Sequence, residues 1–352
     1  MDSNHDSKVK QPSSGRHALR YLLTLIVLGL AVHLILPQIA SLEHSYEVIK
    51  DMVLWAFVLA CLAQVGSYLG SGYLLSALAR LSKGTLSIIR GTMITIAGYS
   101  FGMVAGGMVG SSAAIYRWMQ KENVPSETAT LAGTIPAVFN DIVLLLVSLI
   151  GLGHLLLVHQ LSRLQGISFA AIVVVIVGLI VVTMIGLRKR DSLTQIAERV
   201  GRRWANFRKR DYYPQKTEDW LNNLFEAVNT LMSGGWRGTI LGEVFNVTFD
   251  MLTLYFLFIA AGHRVSIGVL LTGYGLPLLL GKMAFFLPGG VGVIESTMTG
   301  LYVSLGVPDA VTVVVVLAYR FLSFWLPLLL GFPMILVLQK KNPEVSSPAE
   351  GS

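Results

Sequence analysis

The residues best placed to do chemistry gather around one break in an apolar run. Leu287-Pro288-Gly289-Gly290-Val291-Gly292-Val293-Ile294-Glu295 sets a helix breaker, three glycines and an acid between two greasy stretches. Glu295 follows the Pro-Gly-Gly break closely, so it falls in the first turns of a returning half-helix. The exposed N–H groups there carry partial positive charge. They suit a phosphate or an ionised Glu295. Arg320 lies mid-way along the last apolar stretch and is a plausible partner for Glu295, and Lys282 precedes the break. In one reading Arg320 and Lys282 are phosphate ligands, with Glu295 a gate or proton carrier. In the other, Glu295 and Arg320 form a structural salt bridge and Lys282 snorkels.

Further charges interrupt apolar sequence elsewhere. Asp141 opens a long apolar run and is expected to face the polar cavity that a broken half-helix pair lines in transporters. Arg90 and Arg117 flank a glycine-rich segment, and Arg117 also reads as a solvated surface arginine. Glu243 and Asp250 are seven residues apart, hence on one helical face. They suggest a water-filled path or a proton site, with Glu243 near an interface as the plainer alternative.

Elements of membrane-spanning length must carry these groups. The chain has 352 residues, 53% hydrophobic and 13% charged, with a mean hydropathy of +0.65. Soluble domains carry about 25% charged residues. The net charge of +7 sits in the tails and one loop, which suits anionic lipid headgroups better than nucleic acid. The single cysteine, Cys61, leaves no intrachain disulfide or metal–thiolate cluster, and no metal or other cofactor is expected. The stretch Tyr21–Leu36 reads as a retained span rather than a removed signal peptide.

Stretches of spanning length are Ala18–Ile39, Met52–Ala79, Thr128–Val158, Ile167–Leu187, Thr239–Ala261 and Ala310–Leu338, each near the ~20 residues that cross a bilayer. Gly84–Trp118 and Gly268–Leu305 are apolar, glycine-rich and charged. Lys8, Lys10, Arg16 and Arg20 place the N-terminus inside, and the loop Arg188–Arg210, with nine basic residues and two acids, belongs on the same side. That holds only if Gly84–Trp118 dips in and returns; Gly268–Leu305 does the same if Lys340-Lys341 is inside. The expectation is an all-α polytopic membrane protein with about six full spans and two re-entrant helical hairpins, or alternatively eight spans. A single transmembrane domain, 18–340, lies between cytoplasmic tails 1–17 and 341–352.

An internal repeat supports this plan. Gly106-Gly107 and Gly289-Gly290 are 183 residues apart, as are Val124-Pro125 and Val307-Pro308. Arg80, Ser82, Gly84 and Leu86 parallel Arg264, Ser266, Gly268 and Leu270 at an offset of 184. Repeat 1 covers about 52–158 and repeat 2 about 237–339, in the inverted arrangement of many transporters. Gly98, Gly102, Gly106 and Gly110 recur every fourth residue, a smooth face for close helix packing, which argues against a turn at Gly106. Within the loop 188–236, Leu193, Ile196, Val200, Trp204 and Phe207 oppose Arg199, Arg202 and Arg203, as in a helix lying on an anionic surface. Simple topology anchoring is the plainer role.

The stretch Leu287–Glu295, then Gly306-Val307-Pro308, Tyr319-Arg320-Phe321 and Trp325, resembles the transmembrane domain of lysylphosphatidylglycerol synthases and related stand-alone flippase-like proteins. Ala105-Gly106-Gly107, Arg117, Val124-Pro125 and Asn140-Asp141 resemble that family's earlier motif, with Ala105 and Phe139 departing from its pattern. No counterpart of the synthase's aminoacyl-transferase domain follows Leu338. The resemblance therefore implies lipid translocation rather than aminoacylation.

Other motifs fail on context. Gly98-Tyr99-Ser100-Phe101-Gly102 fits a hydrolase elbow but needs a preceding strand. His154 and His159 do not share a helical face, and no P-loop is present. The leading expectation is a flippase or transporter, and not an enzyme. It would move an anionic or aminoacylated phospholipid, or a related lipid-linked molecule, across a bacterial inner membrane. Its site would comprise Glu295, Arg320, Lys282, Pro288, Gly289, Gly290, Asp141, Arg90, Arg117, Glu243 and Asp250. The alternatives are a membrane-embedded lipid-modifying transferase, or an accessory subunit of a lipid or glycan synthase. Expected partners are membrane phospholipids, anionic headgroups at the basic loop, and a second copy or a synthase; nucleic acid is excluded.

Overall fold

The computed structural model describes residues 42–82, 84–105, 107–157, 236–284 and 288–340, with isolated positions between 167 and 199. The expected spans at Ala18–Ile39 and Ile167–Leu187, the basic loop and both tails lie outside the described residues, isolated positions aside. Among the described residues every regular element is helical. They are α1 (Leu42–Lys50), α2 (Leu54–Leu81), α3 (Ile88–Ala105), α4 (Met108–Lys121), α5 (Ser126–Leu157), α6 (Trp236–Ala260), α7 (Ile267–Met283), α8 (Val293–Ser304), α9 (Asp309–Arg320) and α10 (Leu326–Lys340).

Among the described residues five stretches are long and apolar enough to cross a membrane: α2, α3, α5, α6 and the rod Asp309–Gln339 formed by α9 and α10. Four coincide, within a few residues, with expected spans. The fifth, α3, reaches spanning length, whereas its partner α4 has 14 residues and covers only ~21 Å. In the second unit α7 has 17 residues and α8 has 12. The short helix α1, between two expected spans, packs against α9.

Both glycine-rich segments are antiparallel helical hairpins. In the first, Gly98 faces Ile115 and Gly102 faces Ser111. Gly107 makes the turn with φ +70°, a conformation that glycine adopts at little steric cost. The smooth glycine face thus closes α3 onto α4 within the hairpin rather than running through a continuous helix. In the second hairpin, Gly281 faces Ile294 and Gly273 faces Tyr302.

The repeat is visible in single hydrogen bonds. The Val124 N–H donates to the Met119 carbonyl at 3.2 Å, and the Val307 N–H donates to the Tyr302 carbonyl at 3.0 Å. The residues just before them, Asn123 (φ 58°) and Gly306 (φ 90°), both turn left-handed, so α4 and α8 end in the same way.

The two units embrace through α2 and α6, the most extensive helix pair. The pair is antiparallel: Gln64 meets Asp250, Gly70 meets Asn246 and Leu74 meets Gly242. Equivalent helices of the two units therefore run in opposite directions. A Cβ at Gly70 would lie 2.6 Å from the Asn246 backbone nitrogen, so the contact is backbone on backbone. The units also exchange partners, α5 of the first packing on α7 of the second and α10 of the second on α3 of the first.

Candidate functional site

The break before α8 is held by a buried ion pair. Pro288–Gly290 form a single 3-10 turn, and Gly289, Gly290 and Gly292 have φ of +65°, +63° and +86°. Arg320, at the end of α9, donates from Nε to Glu295 Oε1 at 2.6 Å and from Nη2 to the Gly289 carbonyl at 3.1 Å. Glu295 Oε2 accepts from the Gly292 N–H at 2.6 Å, capping α8 from within. The guanidinium also stacks over the Phe324 ring, 4.5 Å from its centroid. Both side chains are almost fully buried. Each charge is matched and each carboxylate oxygen has a donor, the condition under which a buried pair is tolerated. The expected Glu295–Arg320 contact is thus formed. Phosphate could reach Arg320 only after this clamp opens.

A second network crosses between the units. Lys282, at the end of α7, donates to the Asp141 carboxylate and to Asn140 Oδ1, both on α5. Asn140 Nδ2 donates in turn to Glu243 on α6 at 2.6 Å. Lys282 and Asp141 keep 39% and 44% of their side chains exposed, whereas Glu243 is buried. Asp141 sits roughly 23 Å along α5 at 1.5 Å per residue, far from the helix ends. Ionisable side chains at such a depth characteristically face the bundle interior or a water-filled cavity rather than lipid. Tyr99 on α3 is 58% exposed. It is offset from Lys282 by 183 residues, the same offset that relates the two hairpins.

Asp250 anchors a third network, separate from the partners of Glu243. Its carboxylate accepts from Gln64 Nε2 at 3.1 Å, Tyr274 OH at 2.9 Å and Tyr319 OH at 2.6 Å. One turn away Ser67 donates to Asn246 at 3.1 Å. Tyr68 donates to the Leu322 carbonyl in the π-helical turn Phe321–Trp325, occupying a carbonyl where the helical bonding is irregular. Gln64, Tyr274 and Tyr319 thus connect α2, α7 and α9 to α6. Gln64 left a signal in the sequence, an amide inside the apolar run Met52–Ala79.

The remaining candidates sit elsewhere. Arg90 pairs with Glu122 at 2.8 Å, and Arg117 is exposed on α4. Pro288, Gly289 and Gly290 shape the break without offering a side-chain ligand.

The family described as Lysylphosphatidylglycerol synthase TM region matches residues 19–331. A UPF0104 membrane protein of Pyrococcus horikoshii is 24% identical, covering 93% of this chain and 99% of that protein. A UPF0104 membrane protein of Methanothermobacter thermautotrophicus is 32% identical over 127 residues, 33% of this chain and 38% of its own length.

Proposed function

The chain belongs to the Lysylphosphatidylglycerol synthase TM region family, and we propose that it moves a phospholipid or related lipid-linked molecule, anionic or aminoacylated, between membrane leaflets. The observation that supports this most is the half-exposed Lys282–Asp141 pair, which ties the broken hairpin of one unit to the long helix of the other. A lipid phosphate arriving at this pair competes with Asp141 for the Lys282 ammonium. Taking that ammonium loosens the link between the units, and rocking of one unit against the other then carries the headgroup across. Glu295 and Arg320 keep the broken hairpin in shape while this happens. Asn140 and Glu243 hold the polar wall of the path.

In this reading α3–α4 and α7–α8 are re-entrant hairpins, since α4 and α8 are too short to span. The protein sits in the cell membrane with both termini cytoplasmic. It acts by transport rather than by chemical turnover.

The test is a vesicle assay with purified protein and headgroup-labelled lipids of several classes. Protein-dependent leaflet exchange, lost in Lys282→Gln, supports the reading. No movement of any class, or chemical conversion of the lipid in place of movement, overturns it.

A further inference from the structure

Among the described residues no cation pairs with Asp250. It lies 14 residues (250 − 236) into the 25-residue α6, near the middle of that helix. Its three donors, Gln64 Nε2, Tyr274 OH and Tyr319 OH, are all neutral. Three donors to one carboxylate favour its ionised form. Arg320 follows Tyr319 in sequence but is committed to Glu295 and the Gly289 carbonyl. Neutral donors solvate a buried charge without cancelling it, and an uncancelled charge at such a depth is costly.

The same contact holds an oxygen that binds nothing. Gln64 is 2% exposed. Its Nε2 is spent on Asp250, and its buried Oε1 has no hydrogen-bond partner. Buried amide oxygens are ordinarily paired, and an orphan calls for a partner. A positive ion answers both needs, giving Asp250 its counter-charge and Oε1 something to coordinate. A proton on Asp250 would cancel the charge but, with the amide nitrogen facing the carboxylate, would leave Oε1 unmatched. One carboxylate among neutral oxygens matches a single positive charge, whereas divalent ions gather more carboxylates or keep several waters. Asp250 itself stays partly exposed, so the network is not sealed. We infer that Asp250 and Gln64 Oε1 bind a monovalent metal cation, of the size of sodium, between α2 and α6. These two helices belong to different units and form their main contact, so the ion ties the units together where they cross. That its binding is linked to lipid movement rests on the transport reading above.

The experiment measures retention of radiolabelled sodium by the purified full-length protein in detergent, with choline chloride holding the ionic strength constant. The wild type retains sodium saturably. Asp250→Asn abolishes retention. Gln64→Met, which keeps the carboxylate, weakens it about tenfold, the scale of one lost interaction with a charged group. Should Asp250→Asn fail to elute as the wild type does on size exclusion, Gln64→Met carries the decision. No saturable retention by the wild type, or unchanged retention in a folded variant, overturns the site. Stabilisation of the wild type by acid, absent in Asp250→Asn and without sodium retention, assigns a proton instead and overturns it equally. Leaflet exchange measured in parallel separates the two readings. Exchange by a wild type that retains no sodium removes this site alone. Retention that depends on Asp250, with no lipid exchanged by the wild type, removes only the transport reading.

Discussion

Lys282 and Asp141 belong to different repeat units, yet the ammonium on α7 donates directly to the carboxylate on α5. Glu295 and Arg320, by contrast, both belong to the second unit and are buried to within a few per cent. One pair fixes a hairpin internally. The other joins two bodies and is partly exposed, so on the transport reading a competing anion displaces it. The distinction separates a structural ion pair from an exchangeable one, and the two should respond oppositely to conservative substitution.

Removing the exchangeable pair should change activity more than stability. Lys282→Gln and Asp141→Asn retain shape, and partial exposure lets water solvate whatever charge remains. Leaflet exchange in vesicles should fall about tenfold or more in Lys282→Gln, while the melting temperature in detergent shifts little. A large stability loss with intact transport would reverse the assignment.

The structural pair should behave the other way. Glu295→Gln leaves the Arg320 guanidinium buried without its counter-charge, which costs about 3–5 kcal/mol. Chemical or thermal unfolding in detergent reads this directly. In a double-mutant cycle, Glu295→Leu with Arg320→Met should recover much of what either loses alone, because the pair's desolvation cost disappears with it.

Gly289 should tolerate no side chain. Its φ of +65° disfavours any L-residue, and a Cβ there would run into the Phe324 ring. Gly289→Ala should cost about 1–3 kcal/mol. Adding Phe324→Ala should relieve only the steric part, and it removes the stacking partner of Arg320. Equal stability of Gly289→Ala and the wild type would refute the left-handed turn.

Much of this arrangement is legible in the sequence because local rules govern it. A Pro-Gly-Gly between apolar runs cannot continue a helix, so the second hairpin follows from residue types alone. The offset of 183 residues marks equivalent positions that do close α4 and α8 with the same hydrogen bond. The glycines every fourth residue were a weaker guide. Such spacing shows that something packs closely but not which helix does, and here it is the other arm of the same hairpin. The Gln64–Asp250 contact, 186 residues apart, and the Lys282–Asp141 contact, 141 apart, depend on how the units cross. No periodicity encodes that. Glu243 and Asp250 share a helical face as their spacing requires, yet α6 is surrounded by different helices at the two depths, so they join different networks.

If movement between the units carries lipid, then tying them together at the exchangeable pair should stop it. Cys61 is the single cysteine, so replacing it with alanine gives a clean background for Lys282→Cys with Asp141→Cys. A disulfide needs Cα atoms within about 7 Å, so a short, reducible bis-thiosulfonate linker is used to span the gap that the lysine side chain bridges. The double variant already lacks the Lys282 ammonium, so its basal exchange is low and the comparison must be internal. Linker addition should lower the residual rate further, and reduction should restore it. Each single-cysteine variant should be indifferent to the linker. Residual exchange that continues unaltered after complete cross-linking would mean that lipid passes with α5 and α7 fixed, and relative motion of the two units would no longer explain transport.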